Sequence, residues 1–184
     1  MVIKRVLKEG LPVLFFVAIG GALTGFILTR MESYLQSIAG LFVILPALFA
    51  LRGNISASLG SRIGSGFATG AITTNLRGNK ELFENIKASI FLSSVLSAAA
   101  GVIAVIFLYV YGISGINPFV IFLIAVFGGS ISGLISPLFT ILLANIAFRR
   151  GLDVDNILNP VITVTGDILT ISCVFLAILL VIGL

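Results

Sequence analysis

The sequence predicts an all-α fold: a polytopic integral membrane protein with five transmembrane helices. Three observations predict it. Only 10% of the 184 residues are charged while 59% are hydrophobic, against about a quarter charged in an average soluble domain. The apolar residues come in runs that reach the roughly 20 helical residues a bilayer core requires. Gly accounts for 20 residues, a composition suited to close helix packing and interrupted helices rather than plain hydrophobic rods. Residues 1–184 read as one transmembrane domain.

The first span covers about 11–28, between Lys8-Glu9 and Arg30-Glu32. No small-x-small cleavage site closes a short hydrophobic region after "MVIKRVLKEG", so it reads as a retained helix rather than a signal peptide. The second span covers about 38–72 and is too long for a simple crossing: as one helix it would measure about 50 Å. Arg52-Gly53-Asn54 lies at its middle, after Pro46, and a break near 52–54 is expected there. Irregular backbone at membrane depth is tolerated where it is buried or lines a watery cavity. Spans three, four and five cover about 86–111, 118–148 and 157–182. The "NLRGNKELFEN" connection reads as an ordinary solvated loop.

Eight of the 11 basic residues (Lys4, Arg5, Lys8, Arg77, Lys80, Lys87, Arg149 and Arg150) fall on one side of these spans. That asymmetry places the N-terminus in the cytoplasm and the C-terminus outside a cell membrane. Trp is absent, so an interfacial belt would rest on Tyr34, Tyr109 and Tyr111. Small residues recur at four-residue spacing in Gly21/Gly25, Gly60/Gly64, Gly66/Gly70 and Gly129/Gly133, which lets helix backbones approach closely. No internal repeat supplies a second half.

Several function classes are excluded. Cys173 is alone and histidine is absent, so thiolate and imidazole metal chemistry is unsupported, and no nucleophile–base pair marks an enzyme. No organic cofactor is implied. A net charge of +4, placed in loops, is a topology signal rather than a nucleic-acid footprint.

Two polar faces remain inside the hydrophobic spans. In span five Asn159, Thr163 and Asp167 are four apart and Thr170 follows three later, which puts them on one side of a helix. Asp167 would sit about 15 Å into the membrane, where an acid costs at least about 2.5 kcal/mol. In span two Asn54, Ser58, Ser61, Arg62, Ser65 and Thr69 form a second oxygen-rich face beside Gly53. Two such faces can line a cation path. Carboxylate, amide and hydroxyl oxygens suit hard divalent ions such as Mg²⁺. Alternatives stay open: Asp167 could pair with Arg52 or Arg62 as helix glue, relay protons in a proton-coupled carrier, or form an organic-cation site. The faces could also serve a non-conducting accessory subunit. Arg62 would repel a cation unless it snorkels to the cytoplasmic interface. Asp153 and Asp155, just before span five, suit either helix-entry acids or a cytoplasmic vestibule.

The stretch "LPALFALRGNISASLGSRIGSGFATG" resembles the membrane-domain signature of the MgtE and eukaryotic solute-carrier 41 family of magnesium transporters and channels. "DVDNILNPVITVTGDILT" resembles the last helix of that family, with Pro160 seven residues before the acid at Asp167. The resemblance implies Mg²⁺ or another divalent cation as transported ion and a homodimer with its pore between spans two and five. A heterodimer with a second half, or a separate regulatory subunit, is the alternative. It also implies a metal site at Asp167, Asn159, Thr163 and Asn54, with Gly53, Ser58, Ser61, Ser65 and Thr170 lining the pore. Three departures leave selectivity and regulation open. Ser56 stands where eukaryotic members often have an acid, Ser58 where bacterial members have Gln, and ten residues before span one leave no room for a sensor domain.

Overall fold

The computed structural model describes residues 2–74, 76, 78–113, 117–151 and 158–183. Within them the chain forms α1 (Val2–Arg30), α2 (Glu32–Ser37), α3 (Leu41–Thr69), α4 (Lys80–Val110), α5 (Pro118–Arg149) and α6 (Asn159–Ile182). All but the short α2 are long and apolar enough to cross a membrane. The all-α, five-span architecture expected from the sequence is therefore present.

Local chemistry sets the helix ends. Asn79 caps α4, its Oδ1 accepting from the Leu82 N–H at 2.9 Å, while its Nδ2 donates to the Ala71 carbonyl at 3.2 Å. The connection read as an ordinary solvated loop thus supplies a cap. Asn117 caps α5 in the same way through the Phe119 N–H at 3.0 Å, with Pro118 at the first turn, where its missing N–H costs nothing. α3 stops at Gly70, whose φ of 78° only glycine adopts freely.

The expected break at Arg52-Gly53-Asn54 is absent: α3 is one helix from Leu41 to Thr69. Pro46 lies early in it and removes a single backbone hydrogen bond. Gly53 serves packing rather than a bend, because a Cβ there would come within 3.3 Å of the Thr163 Cγ2 on α6. A continuous helix also satisfies its own backbone, which hydrocarbon cannot do for an open loop.

α3, α4, α5 and α6 pack together, and α1 rests on α6. Two apolar clusters fill the bundle. One, around Ile44, Leu48, Ile124 and Val174, lies toward the α2 end; the other, around Leu59, Ile63, Leu158 and Ile162, lies toward the opposite end. A buried polar layer separates them, with Arg52, Ser56, Ser93, Ser132 and Ser136 each 3% exposed or less.

Small residues make this layer possible. A Cβ at Gly129 would overlap the Ser97 side chain of α4, and one at Gly133 would come within 2.5 Å of the Ser93 Cβ. By contrast Gly21 and Gly25 meet nothing within 4 Å, so that glycine pair makes no close contact among the described residues. Gly129→Ala is expected to destabilise the protein by about 1–3 kcal/mol through overpacking. Gly21→Ala should change stability by less than about 0.5 kcal/mol. Thermal unfolding of the two variants in detergent checks both; equal melting would contradict the packing.

Candidate functional site

The site is built where α3 meets α6. Gly53 lets Thr163 approach, and the Gly166 position of α6 lies against the Arg52 stem, where a Cβ would come within 3.0 Å of Cγ. These two contacts fix how the helices cross. The residues following each contact in sequence, Asn54 and Asp167, belong to the two polar faces seen in the sequence.

The structure turns most of those residues outward. Asn54, Ser58, Ser61, Arg62, Ser65 and Thr69 are all exposed along α3. On α6 Thr163 is exposed, while Asn159 and Asp167 are half-buried. The Thr163 hydroxyl donates to the Asn159 carbonyl at 2.9 Å, leaving its lone pairs unused. Asp167 makes no hydrogen bond and no ion pair among the described residues.

Thr170 departs from this arrangement. It is fully buried, and its hydroxyl donates to the Gly166 carbonyl at 2.7 Å. Helical phase keeps it on the Asn159 side of α6, but neighbouring side chains enclose that turn, so it does not line the outward face. Asp153 and Asp155 lie outside the described residues.

Neither arginine neutralises Asp167. Arg52 is 3% exposed and faces the other way, into the polar layer. Its Nη1 donates to Ser93 Oγ at 2.8 Å. Its Nη2 donates to the Gly129 carbonyl at 2.6 Å and to Ser132 Oγ at 2.8 Å. Below it Ser56 and Ser136 share a hydrogen bond of 2.7 Å. This layer ties α3 to α4 and α5 at the height of the Gly53–Thr163 contact. The layer was not expected from the sequence, although Ser89, Ser93 and Ser97 recur every four residues on α4 opposite Gly129 and Gly133. Arg62 bonds to Ser58 and to Asn85 of α4 instead of an acid.

Among the described residues no group of three or more histidine, cysteine or acidic side chains comes together. Among the described residues of the two polar faces the acid is Asp167, with amide and hydroxyl oxygens on the same faces. Oxygen donors of this kind suit hard divalent cations that keep their water.

A family model described as MgtE, divalent cation transporter, matches residues 45–177. The match runs from the first turns of α3 to near the end of α6 and so contains both polar faces. No solved structure matches the chain.

Proposed function

We propose, from the premise that the chain belongs to the MgtE family of divalent cation transporters, that two copies join through the α3–α6 face and carry Mg²⁺ along the polar strip between them. Transport of divalent cations across a membrane is the family's activity, not catalysis. The single observation that carries the finer reading is the outward strip itself. Asn54, Ser58, Ser65 and Thr163 are exposed on helices that elsewhere offer lipid residues such as Leu176 and Phe42. Hydrocarbon cannot satisfy these groups, and an acid at the bilayer centre adds about 2.5–3.5 kcal/mol. A second copy, with water between the two strips, removes that cost.

In this arrangement each copy contributes one Asp167. Two carboxylates offset the charge of a divalent ion, while the side-chain oxygens of Asn54, Asn159 and Thr163 accept from its water shell. Mg²⁺ releases water reluctantly, so a strip of hydroxyls and amides suits it better than a closed cage. The orientation that fits has the Lys80, Lys87 and Arg149 end in the cytoplasm. There Arg149 Nη2 donates to the Thr74 carbonyl at 3.1 Å, bringing α5 against the α3–α4 connection.

Single cysteines test this pairing. Ser58→Cys is expected to form a disulfide-linked dimer on mild oxidation, and a bulky thiol reagent on it should block Mg²⁺ uptake by liposomes. Phe15→Cys, 71% exposed on α1, should do neither. Cys173 is buried and leaves the background clean. Equal cross-linking at both positions, or uptake insensitive to a labelled Ser58→Cys, would refute the shared strip.

A further inference from the structure

Arg62 is the only charged residue among Asn54, Ser58, Ser61, Arg62, Ser65 and Thr69 on the α3 strip. An arginine near a span end commonly reaches for the nearer interface, which here lies past Thr69. Instead it turns back along its own helix. Nε donates to the Ser58 carbonyl at 3.3 Å and Nη2 to Ser58 Oγ at 3.0 Å, so the guanidinium lies one turn closer to Asn54. Nη1 donates to Asn85 Oδ1 of α4 at 3.4 Å. The Asn85 amide is itself held, since its Nδ2 donates to the Glu81 carbonyl at 2.9 Å, which leaves Oδ1 turned to Arg62.

On the far side of Arg62 a concavity of about 380 Å³ opens, lined by Ser61, Ser65, Thr69, Glu81 and Asn85 with Arg62 itself. It is the polar mouth of the strip at the Lys80 end. Arg62 therefore stands between this mouth and Ser58; Glu81 lines the same mouth, and among the described residues Arg62 hydrogen-bonds to Ser58 and Asn85 rather than forming an ion pair.

We propose, taking the α3–α6 strip as the ion path, that Arg62 is a charge barrier at its Lys80 end. Held over Ser58 by Asn85, it slows divalent cations between the mouth and Asn54. Repulsion scales with ionic charge, so a divalent ion feels twice what a monovalent ion feels at the same distance. At about 7 Å in a watery path this amounts to roughly a threefold to tenfold change in local occupancy for a divalent ion. For a monovalent ion the same geometry gives about two- to threefold. The three hydrogen bonds are exposed and two are long, so they restrain the side chain without locking it.

The test is uptake of Mg²⁺ and of Na⁺ by liposomes holding the full chain, with Arg62→Gln, Arg62→Lys and Arg62→Cys. Arg62→Gln should raise Mg²⁺ uptake about threefold to tenfold and Na⁺ uptake about two- to threefold. Arg62→Lys keeps the charge and should stay within about twofold of the parent. Arg62→Cys gives a check within one folded protein: a cationic methanethiosulfonate reagent should lower Mg²⁺ uptake and an anionic one should raise it. Folded Arg62→Gln with unchanged or reduced Mg²⁺ uptake, or an identical response to the two reagents, would overturn the barrier. The ion path is judged separately: full flux through Asp167→Asn removes the path, whereas lost flux there with inert Arg62 variants removes only the barrier.

Discussion

Arg52→Ala is expected to destabilise the protein by about 3 kcal/mol or more, whereas Arg52→Met should cost far less. Two terms set the difference. Truncation to alanine empties a closely packed site between α3, α4, α5 and α6, and large-to-small changes in such cores cost about 2–5 kcal/mol. It also removes the donors that reach Ser93 Oγ, the Gly129 carbonyl and Ser132 Oγ. The hydroxyls retain backbone partners, since Ser93 Oγ donates to the Ser89 carbonyl at 2.7 Å and Ser132 Oγ to that of Gly129 at 3.0 Å. The hydrogen-bond loss is therefore partial, and the cavity dominates. Methionine fills most of the volume and removes a buried charge that has no carboxylate beside it, which offsets part of the loss. The arginine is also incompletely used, because its Nε has no partner. Thermal melting and the folded fraction on size exclusion in detergent distinguish the two variants. Alanine no worse than methionine would mean that the polar layer does not hold these helices together.

The five crossings were legible because hydrocarbon imposes one simple rule on every span. Runs of apolar residues bounded by Lys, Arg and Glu mark helices regardless of how those helices pack. The strip of Asn54, Ser58, Ser61, Ser65 and Thr69 was legible for a related reason: polar residues at helical spacing stay on one face. What lies opposite a face is a different matter. A break was expected at Arg52-Gly53-Asn54 because the second span is too long for a simple crossing and these residues sit at its middle, after Pro46. The structure instead faces Arg52 inward onto serines, Gly53 onto Thr163 and only Asn54 outward, so three adjacent residues serve three neighbours. Thr170 shows the same limit. Its helical phase matches Asn159 and Thr163, yet its turn is enclosed, and enclosure depends on helices distant in sequence. For Arg62 the sequence left both the interface and Asp167 open as destinations; Asn85, supplied by α4, holds it over Ser58 instead.

Asp167 carries the largest expected functional effect. Its carboxylate is half-buried beside Gly166, at a depth where an acid is expensive, and no side chain among the described residues pairs with it. Asp167→Asn keeps shape and removes no hydrogen bond, so the variant should fold, and it should pair as the parent does. The amide oxygen can still face a hydrated ion but brings no negative charge. In the proposed dimer two such changes remove both carboxylates from the path. Because about 1.4 kcal/mol of lost attraction is already tenfold in ion occupancy, Mg²⁺ flux should fall by at least about tenfold. Asp167→Ala loses the oxygen as well and should be lower still.

The most direct measurement is Mg²⁺ uptake into liposomes carrying matched amounts of parent and Asp167→Asn protein, with folding checked by melting and size exclusion. Uptake lost in a variant that folds and pairs normally is the result predicted for an ion path along α3 and α6. Parental uptake from folded Asp167→Asn protein would contradict it.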